Sequence, residues 1–108
     1  MEKTSVGLDS NVAAALAYAM GWVTGVAFLL AERDNRFVRF HAMQSTITFG
    51  ALCIAWLVSL SVPFFGLLFA IFIIPPFSLV LWLVLMFKAY QGEQFKLPIA
   101  GDIAEQRI

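Results

Sequence analysis

Residues 42–87 read AMQSTITFGALCIAWLVSLSVPFFGLLFAIFIIPPFSLVLWLVLMF, and no Asp, Glu, Lys, Arg or His interrupts them. A membrane-spanning helix takes about 20 apolar residues, so this stretch is too long for a single crossing. Near its middle, SVPFFG contains Pro63 and Gly66. Proline cannot continue helical hydrogen bonding and glycine relaxes the backbone, which predicts two apolar helices joined by a turn.

A second uncharged block, residues 12–31, is rich in Ala, Leu and Val. Over its 108 residues the chain is 61% hydrophobic and 13% charged, which leaves more apolar surface than so small a domain can bury in water. We therefore predict an all-α integral membrane protein with three transmembrane helices in a single membrane domain.

The predicted segments follow this pattern along the chain. They are an extracytoplasmic tail (1–11), helix 1 (12–31), a basic cytoplasmic loop with the start of helix 2 (32–41), the helix 2 core (42–61), helix 3 (67–90) and a cytoplasmic tail (91–108). Pro75-Pro76 removes two backbone donors, so helix 3 is expected to be kinked or broken there. In an alternative arrangement, residues 63–76 dip into the membrane and return as a re-entrant segment.

Basic residues indicate the orientation. They flank helices 2 and 3 and are Arg33, Arg36, Arg39, Lys88, Lys96 and Arg107. Because cytoplasmic loops are enriched in Lys and Arg, both segments are expected to face the cytoplasm. Three crossings then place the amino terminus outside and the carboxyl terminus inside, in the plasma membrane of a bacterium or archaeon.

Two features of the helices predict contacts between them. In helix 1, Gly21 and Gly25 are four residues apart and let another helix approach closely, either from this chain or from a second subunit. In helix 2, a polar stripe occupies one face, because its members are three, four and seven residues apart: His41, Gln44, Ser45 and Thr48. Polar side chains in a bilayer normally face protein or water, so the stripe is expected to form hydrogen bonds between helices or to line a pore.

The block RFVRFHAMQS, residues 36–45, marks the membrane edge. Its basic residues, together with Arg33, suit anionic lipid phosphates, and its aromatic residues suit the interface. The candidate lipid- or partner-binding residues are Arg33, Arg36, Arg39, Phe37 and Phe40.

Several classes of function are disfavoured. Residues 42–87 contain no ionisable residue except Cys53, so they offer no base or paired carboxylates for catalysis within the membrane. Cys53 is about 18 Å along the helix from His41, too far to share a metal ion. A net charge of zero argues against a nucleic-acid partner. We expect no enzyme activity, no cofactor and no metal.

At GWVTG, ERDNRFVRFHAMQS and KAYQGEQFKLPIAGDIAE the chain resembles a family of small bacterial and archaeal membrane proteins of unknown function, related to the Tic-Twenty component of chloroplast protein import. The resemblance covers residues 8–105 and implies a polytopic membrane protein, with no catalytic role to transfer to any residue. The leading hypothesis is a non-enzymatic protein that acts by assembly, as a homo-oligomer or a subunit of a membrane complex. The alternatives are a channel or translocation component and an anionic-lipid-binding protein.

Overall fold

The chain is helical in a computed structural model that describes residue 4 and residues 7–107. In chain order, the α-helices are α1 (Ser10–Ala19), α2 (Trp22–Ala31), α3 (Arg36–Ser61), α4 (Phe65–Leu68), α5 (Ile74–Tyr90) and α6 (Ala100–Arg107). A π-helical segment, Phe69–Ile73, joins α4 to α5.

Two helical stretches are long and apolar enough to cross a membrane. They are α3 and the continuous stretch from α4 to α5, Phe65–Tyr90. The turn between them lies at residues 62–64 within SVPFFG, as predicted from Pro63, whereas Gly66 lies in α4. An all-helical protein with two candidate membrane spans is therefore what the structure supports.

The prediction of one continuous helix over residues 12–31 is wrong. Gly21 has φ 62° and ψ −131°, a left-handed conformation that glycine adopts readily and other residues rarely do. The helix therefore ends at Ala19 and a new one starts at Trp22, and each is only 10 residues long. At 1.5 Å per residue, each helix is about 15 Å long, roughly half the hydrocarbon thickness of a bilayer.

The two short helices form a hairpin rather than a crossing. At its open end, Asn35 Nδ2 donates to Ser10 Oγ at 2.7 Å, so the start of α1 lies beside the N-cap residue of α3, four residues after the end of α2. At its closed end, Gly21 packs against Phe49, more than three turns along α3. We call Ser10–Ala31 the half-depth hairpin.

The hairpin changes the predicted topology. Asn11 Nδ2 donates to the Tyr90 carbonyl oxygen at 3.0 Å, so the start of α1 also lies beside the end of α5. The starts of α1 and α3 and the ends of α2 and α5 thus share one end of the molecule, which we call the basic end. This arrangement differs from the three successive crossings that were predicted, whereas the sides of the membrane on which the two termini lie stay a prediction.

Pro75-Pro76 does not split the second long helix. Both prolines lie in the first turn of α5, and the N–H groups that they lack would have bonded to carbonyl groups of the preceding π-helical segment. The π-helical turn directly precedes them, and the Ile74 N–H bonds the Phe69 carbonyl five residues back. The helix thus remains continuous, and the irregularity expected at the prolines takes the form of a wider turn before them.

The tail after Tyr90 does not leave the bundle as expected. Residues 93–97 form no helix and bond to α3 through their backbone, and α6 then returns beside the same helix. A Cβ added at Gly101 would be 2.9 Å from Gln44 Oε1 and 2.7 Å from Lys96 Cβ. The absence of a side chain at Gly101 therefore allows α6 to pack this closely.

Candidate functional site

The polar face of α3 points into the chain and is buried. Its members are His41, Gln44, Ser45 and Thr48. His41 and Gln44 bond to Tyr18, which is fully buried on α1. We refer to Tyr18, His41, Gln44 and Ser45 as the polar cluster.

The hydrogen bonds around His41 define its tautomer. Glu93 presents a carbonyl oxygen 2.9 Å from His41 Nε2, and a carbonyl can only accept, so Nε2 carries the proton. Nδ1 is then the acceptor for the Tyr18 hydroxyl, whose oxygen is 2.7 Å away. His41 is therefore neutral and uses both ring nitrogens.

Gln44 uses every polar atom of its side chain. Its Nε2 donates to the Tyr18 hydroxyl oxygen and to the Phe95 carbonyl oxygen, both at 2.9 Å. Its Oε1 accepts the Leu97 N–H at 2.9 Å. Because Tyr18 accepts from Gln44 and donates to His41, the three side chains form one satisfied network.

The cluster holds the tail by its backbone. Backbone groups at every second position, residues 93, 95 and 97, bond to side chains of α3. The His41-to-Gln44 spacing of three residues supplies the matching step along the helix. The polar stripe therefore attaches the tail to the membrane-spanning helix.

Ser45 attaches the tip of the half-depth hairpin. Its Oγ donates to the Gly21 carbonyl oxygen at 2.8 Å. Trp82 Nε1 donates to the Tyr18 carbonyl oxygen at 2.7 Å, and Thr24 Oγ1 donates to the Ala17 carbonyl oxygen at 3.0 Å. These bonds satisfy carbonyl groups exposed by the helix break, as an apolar surrounding requires.

Thr48 differs from the rest of the stripe. It is 8% exposed, and its hydroxyl is the buried side-chain polar atom without a partner among the described residues. It lies in the wall of an apolar cavity of about 420 Å³ between α3, α5 and residues 97–100. Other lining residues include Leu52 and Leu81.

Gly21 and Gly25 both face α3 of the same chain. A Cβ at Gly25 would be 2.6 Å from Thr46 Oγ1 and 2.8 Å from the Ala42 carbonyl oxygen. A Cβ at Gly21 would be 3.2 Å from Phe49 Cβ. The two glycines therefore allow the half-depth hairpin to approach α3 closely. They do not lie on one face of a single straight helix, as was predicted.

The five candidate lipid-binding residues separate into two groups. Arg33 and Arg36 are exposed at the basic end, whereas Phe40 is fully buried and does not reach lipid. Phe37 is half-buried, and its ring contacts His41 with centroids 4.7 Å apart. Phe40 makes a similar edge contact at 5.3 Å, so the aromatic residues support the polar cluster.

Arg39 has a structural role as well as a charge. Its Nη1 donates to the carbonyl oxygens of Leu29 at 3.0 Å and Glu32 at 2.9 Å. Carbonyl groups at a helix end lack partners within the helix, so Arg39 caps α2.

Sequence reasoning missed Tyr18 and the tail. Tyr18 is the lone tyrosine of the first apolar block, and a phenol there needs a partner, which is a signal for a contact with the stripe. In the tail, apolar residues alternate at Phe95, Leu97 and Ile99, a pattern that favours an extended segment. The hydrogen-bond partners of Tyr18 and of the tail lie too far away in sequence to be inferred from the spacing of residues along one helix.

Potential metal ligands are dispersed. Within residue 4 and residues 7–107, no three His, Cys, Asp or Glu side chains are grouped so that they could hold a metal ion.

Two candidate membrane spans, the half-depth hairpin and the internal polar cluster are the features of a small helical membrane protein. The chain belongs to the magnetosome magnetite crystal formation protein family, whose model matches residues 6–104.

Its relatives include archaeal membrane proteins of family UPF0132. One from Methanocaldococcus jannaschii is 46% identical over 98% of this chain and 94% of its own length. Another, from Archaeoglobus fulgidus, is 48% identical over 94% of this chain and 97% of its own length. No solved structure matches the chain. A small membrane protein family is thus confirmed, whereas the relation to Tic-Twenty stays a prediction.

Proposed function

We propose that this protein is a non-enzymatic membrane protein that acts by assembly, and that copies of the chain associate through the part of the molecule far from the basic end. This part is the distal hairpin, which we define as residues 50–80. The observation that carries the proposal is its exposed apolar surface, which includes Trp56, Phe65, Phe72 and Phe77.

The shape of the distal hairpin supports association with another helix. An apolar groove of about 370 Å³ runs along it, lined by Phe49, Leu52, Cys53, Trp56, Ile74, Pro75 and Ser78. Side-chain ridges of one helix pack into grooves of another. The exposed aromatic side chains of a second copy are apolar and can pack into this apolar groove. The groove and these side chains together therefore make a self-complementary surface.

The polar cluster and the two glycines support the same conclusion by a different route. The two glycines were a candidate surface for a second subunit and the polar stripe a candidate pore lining, and both are engaged within the chain. The remaining uncovered surface of the described residues near the membrane spans is predominantly apolar. Gln44 and Ser45 give no support to a pore, because their polar groups are bonded to this chain.

The proposed topology follows from the shared basic end. Arg33, Arg36 and Lys88 lie near it, and basic residues favour the cytoplasm, so the starts of α1 and α3 and the end of α5 face the cytoplasm. Two crossings and a half-depth hairpin then replace three crossings. A plasma membrane of a bacterium or archaeon remains our proposed location.

Native mass spectrometry of protein released from lipid nanodiscs tests the assembly. We expect a defined oligomer for the unsubstituted chain. Cys53→Phe fills the groove and should reduce the chain to a monomer, whereas Val23→Phe enlarges an exposed position on α2 and should leave the oligomer intact. Helix content measured by circular dichroism verifies that both variants fold. A monomeric unsubstituted chain, or equal behaviour of the two variants, contradicts the proposal.

A further inference from the structure

A separate groove lies at the basic end, beside the end of α2. Its volume is about 380 Å³, and it is lined by Leu29, Leu30, Arg33 and Arg39. Two of its walls are apolar and two are cationic. We call it the basic groove.

The two arginines are well placed to hold an anion. Arg39 is oriented by its bonds to the Leu29 and Glu32 carbonyl oxygens, which use Nη1. Arg33 is exposed. Ion pairs between described side chains join Lys88 to Glu93 and Lys96 to Glu105, and they do not include either arginine. A phosphate between two guanidinium groups would receive charge-assisted hydrogen bonds from both.

An apolar strip extends from the basic groove along the outer face of α2. Leu30 is 70% exposed and Val23 is 46% exposed. They are seven residues apart, so they share a face and are separated by about 10 Å along the helix. The strip leads from the basic end toward the closed end of the half-depth hairpin. A hydrocarbon chain that begins at the basic groove can therefore lie along it.

We propose that the basic groove binds one anionic lipid, with its phosphate between Arg33 and Arg39 and one hydrocarbon chain along Leu30 and Val23. The proposal is independent of assembly through the distal hairpin, because the two surfaces share no residue. A free phosphate ion would use the arginines but not the apolar strip, which is why the geometry favours a lipid.

The test uses nanodiscs of equal parts phosphatidylglycerol and phosphatidylcholine, and native mass spectrometry counts the lipids that remain bound. The unsubstituted chain should retain one phosphatidylglycerol. Arg33→Gln should lower the retained fraction about tenfold, the effect of losing a charge-assisted hydrogen bond. Arg33→Lys, which keeps the charge, should restore most of the binding.

Arg36→Gln is the matched control, because it removes the same charge three residues from Arg39 but outside the basic groove. It should leave the retained lipid in place. Equal losses for Arg33→Gln and Arg36→Gln would show unspecific attraction and overturn the proposal. Equal retention of phosphatidylcholine would overturn it as well.

A second pair of measurements distinguishes the lipid from a soluble anion. Leu30→Gln should weaken phosphatidylglycerol retention although both arginines remain, because the first contact of the hydrocarbon chain is lost. Excess inorganic phosphate should not displace the lipid. If inorganic phosphate displaces it and Leu30→Gln has no effect, the groove is a phosphate site and the lipid proposal is wrong.

Discussion

The helices are held together differently in two parts of the molecule. One part is the half around the polar cluster, and the other is the distal hairpin. Near Tyr18 and Gln44, hydrogen bonds join α1, α3 and the tail, and small residues let α2 approach α3. Between the two helices of the distal hairpin, the described residues form one side-chain hydrogen bond, from Trp56 Nε1 to the Ala70 carbonyl oxygen at 3.1 Å. Hydrogen bonds between specific partners hold the polar-cluster half together. The distal hairpin instead presents an apolar surface to its surroundings.

This difference has a consequence for substitutions. Changes in the polar-cluster half should alter the free energy of unfolding, because its side chains have specific partners. Changes in the distal hairpin should alter association much more than folding of a monomer. The following four predictions are ordered from the largest expected effect to the smallest.

The same substitution in the two halves provides the most direct comparison. Phe40→Ala removes a fully buried ring beside His41 and should lower the free energy of unfolding by about 3 kcal/mol. Phe72→Ala, at a side chain that is 65% exposed, should change it by less than about 0.5 kcal/mol. Denaturant titration of the monomer in detergent micelles, followed by circular dichroism, measures both. A similar decrease in the free energy of unfolding for both variants would contradict the distinction between the two halves.

Gln44→Leu tests whether the polar cluster holds the tail. It removes three hydrogen bonds, each with a net value of about 1 kcal/mol, so we expect a loss of about 2–3 kcal/mol. Hydrogen exchange at the Leu97 amide should become much faster, because its acceptor is gone. Gln94→Leu, at an exposed position in the same tail, is the control and should leave that amide protected.

Gly25→Ala tests the close approach of the half-depth hairpin to α3. The added methyl would overlap Thr46 and the Ala42 carbonyl, and overpacking of this kind costs about 1–3 kcal/mol. At Gly50 the nearest atom to an added Cβ is 3.9 Å away, so Gly50→Ala should be neutral or slightly stabilising. Thermal unfolding of the two variants in the same detergent provides the measurement. If Gly50→Ala were the more damaging, the packing described for α2 would be incorrect.

The attachment of α6 should depend weakly on pH. The hydrogen bond to Glu105 raises the pKa of Lys96 above its ordinary value of 10.5. The contribution of this pair is therefore fully present below pH 10.5 and is lost as the pH rises through the raised pKa. A spin label introduced by Gln106→Cys in a Cys53→Ser background should become more mobile over that range. Lys96→Gln should abolish the change, and persistence of the change would assign it to another group.

Composition and charge were sufficient to predict part of this fold. The uncharged stretch of residues 42–87 and Pro63 identified two apolar helices and the turn between them. The spacing of His41, Gln44, Ser45 and Thr48 identified a common face, which depends only on helix geometry.

The break at Gly21, the position of the tail and the role of Arg39 were missed because hydropathy does not determine them. Residues 12–31 are apolar throughout, so a crossing and a hairpin have the same composition, and the difference lies in the backbone torsion angles of Gly21. The tail was misplaced because its partners, His41 and Gln44, precede it by about 50 residues. Arg39 was treated as a surface charge because the α2 end that it caps could not be located.

The half-depth hairpin bears on how the chain is inserted during synthesis. Because the side chains of Ser10 and Asn35 are hydrogen-bonded, α1 begins beside the start of α3, and in the topology proposed above Asp9 need not be carried through the bilayer. In that proposed topology, the two long helices can be integrated first. The hairpin can then enter from the same side to a depth of about 15 Å, where Ser45 and Phe49 provide its docking position.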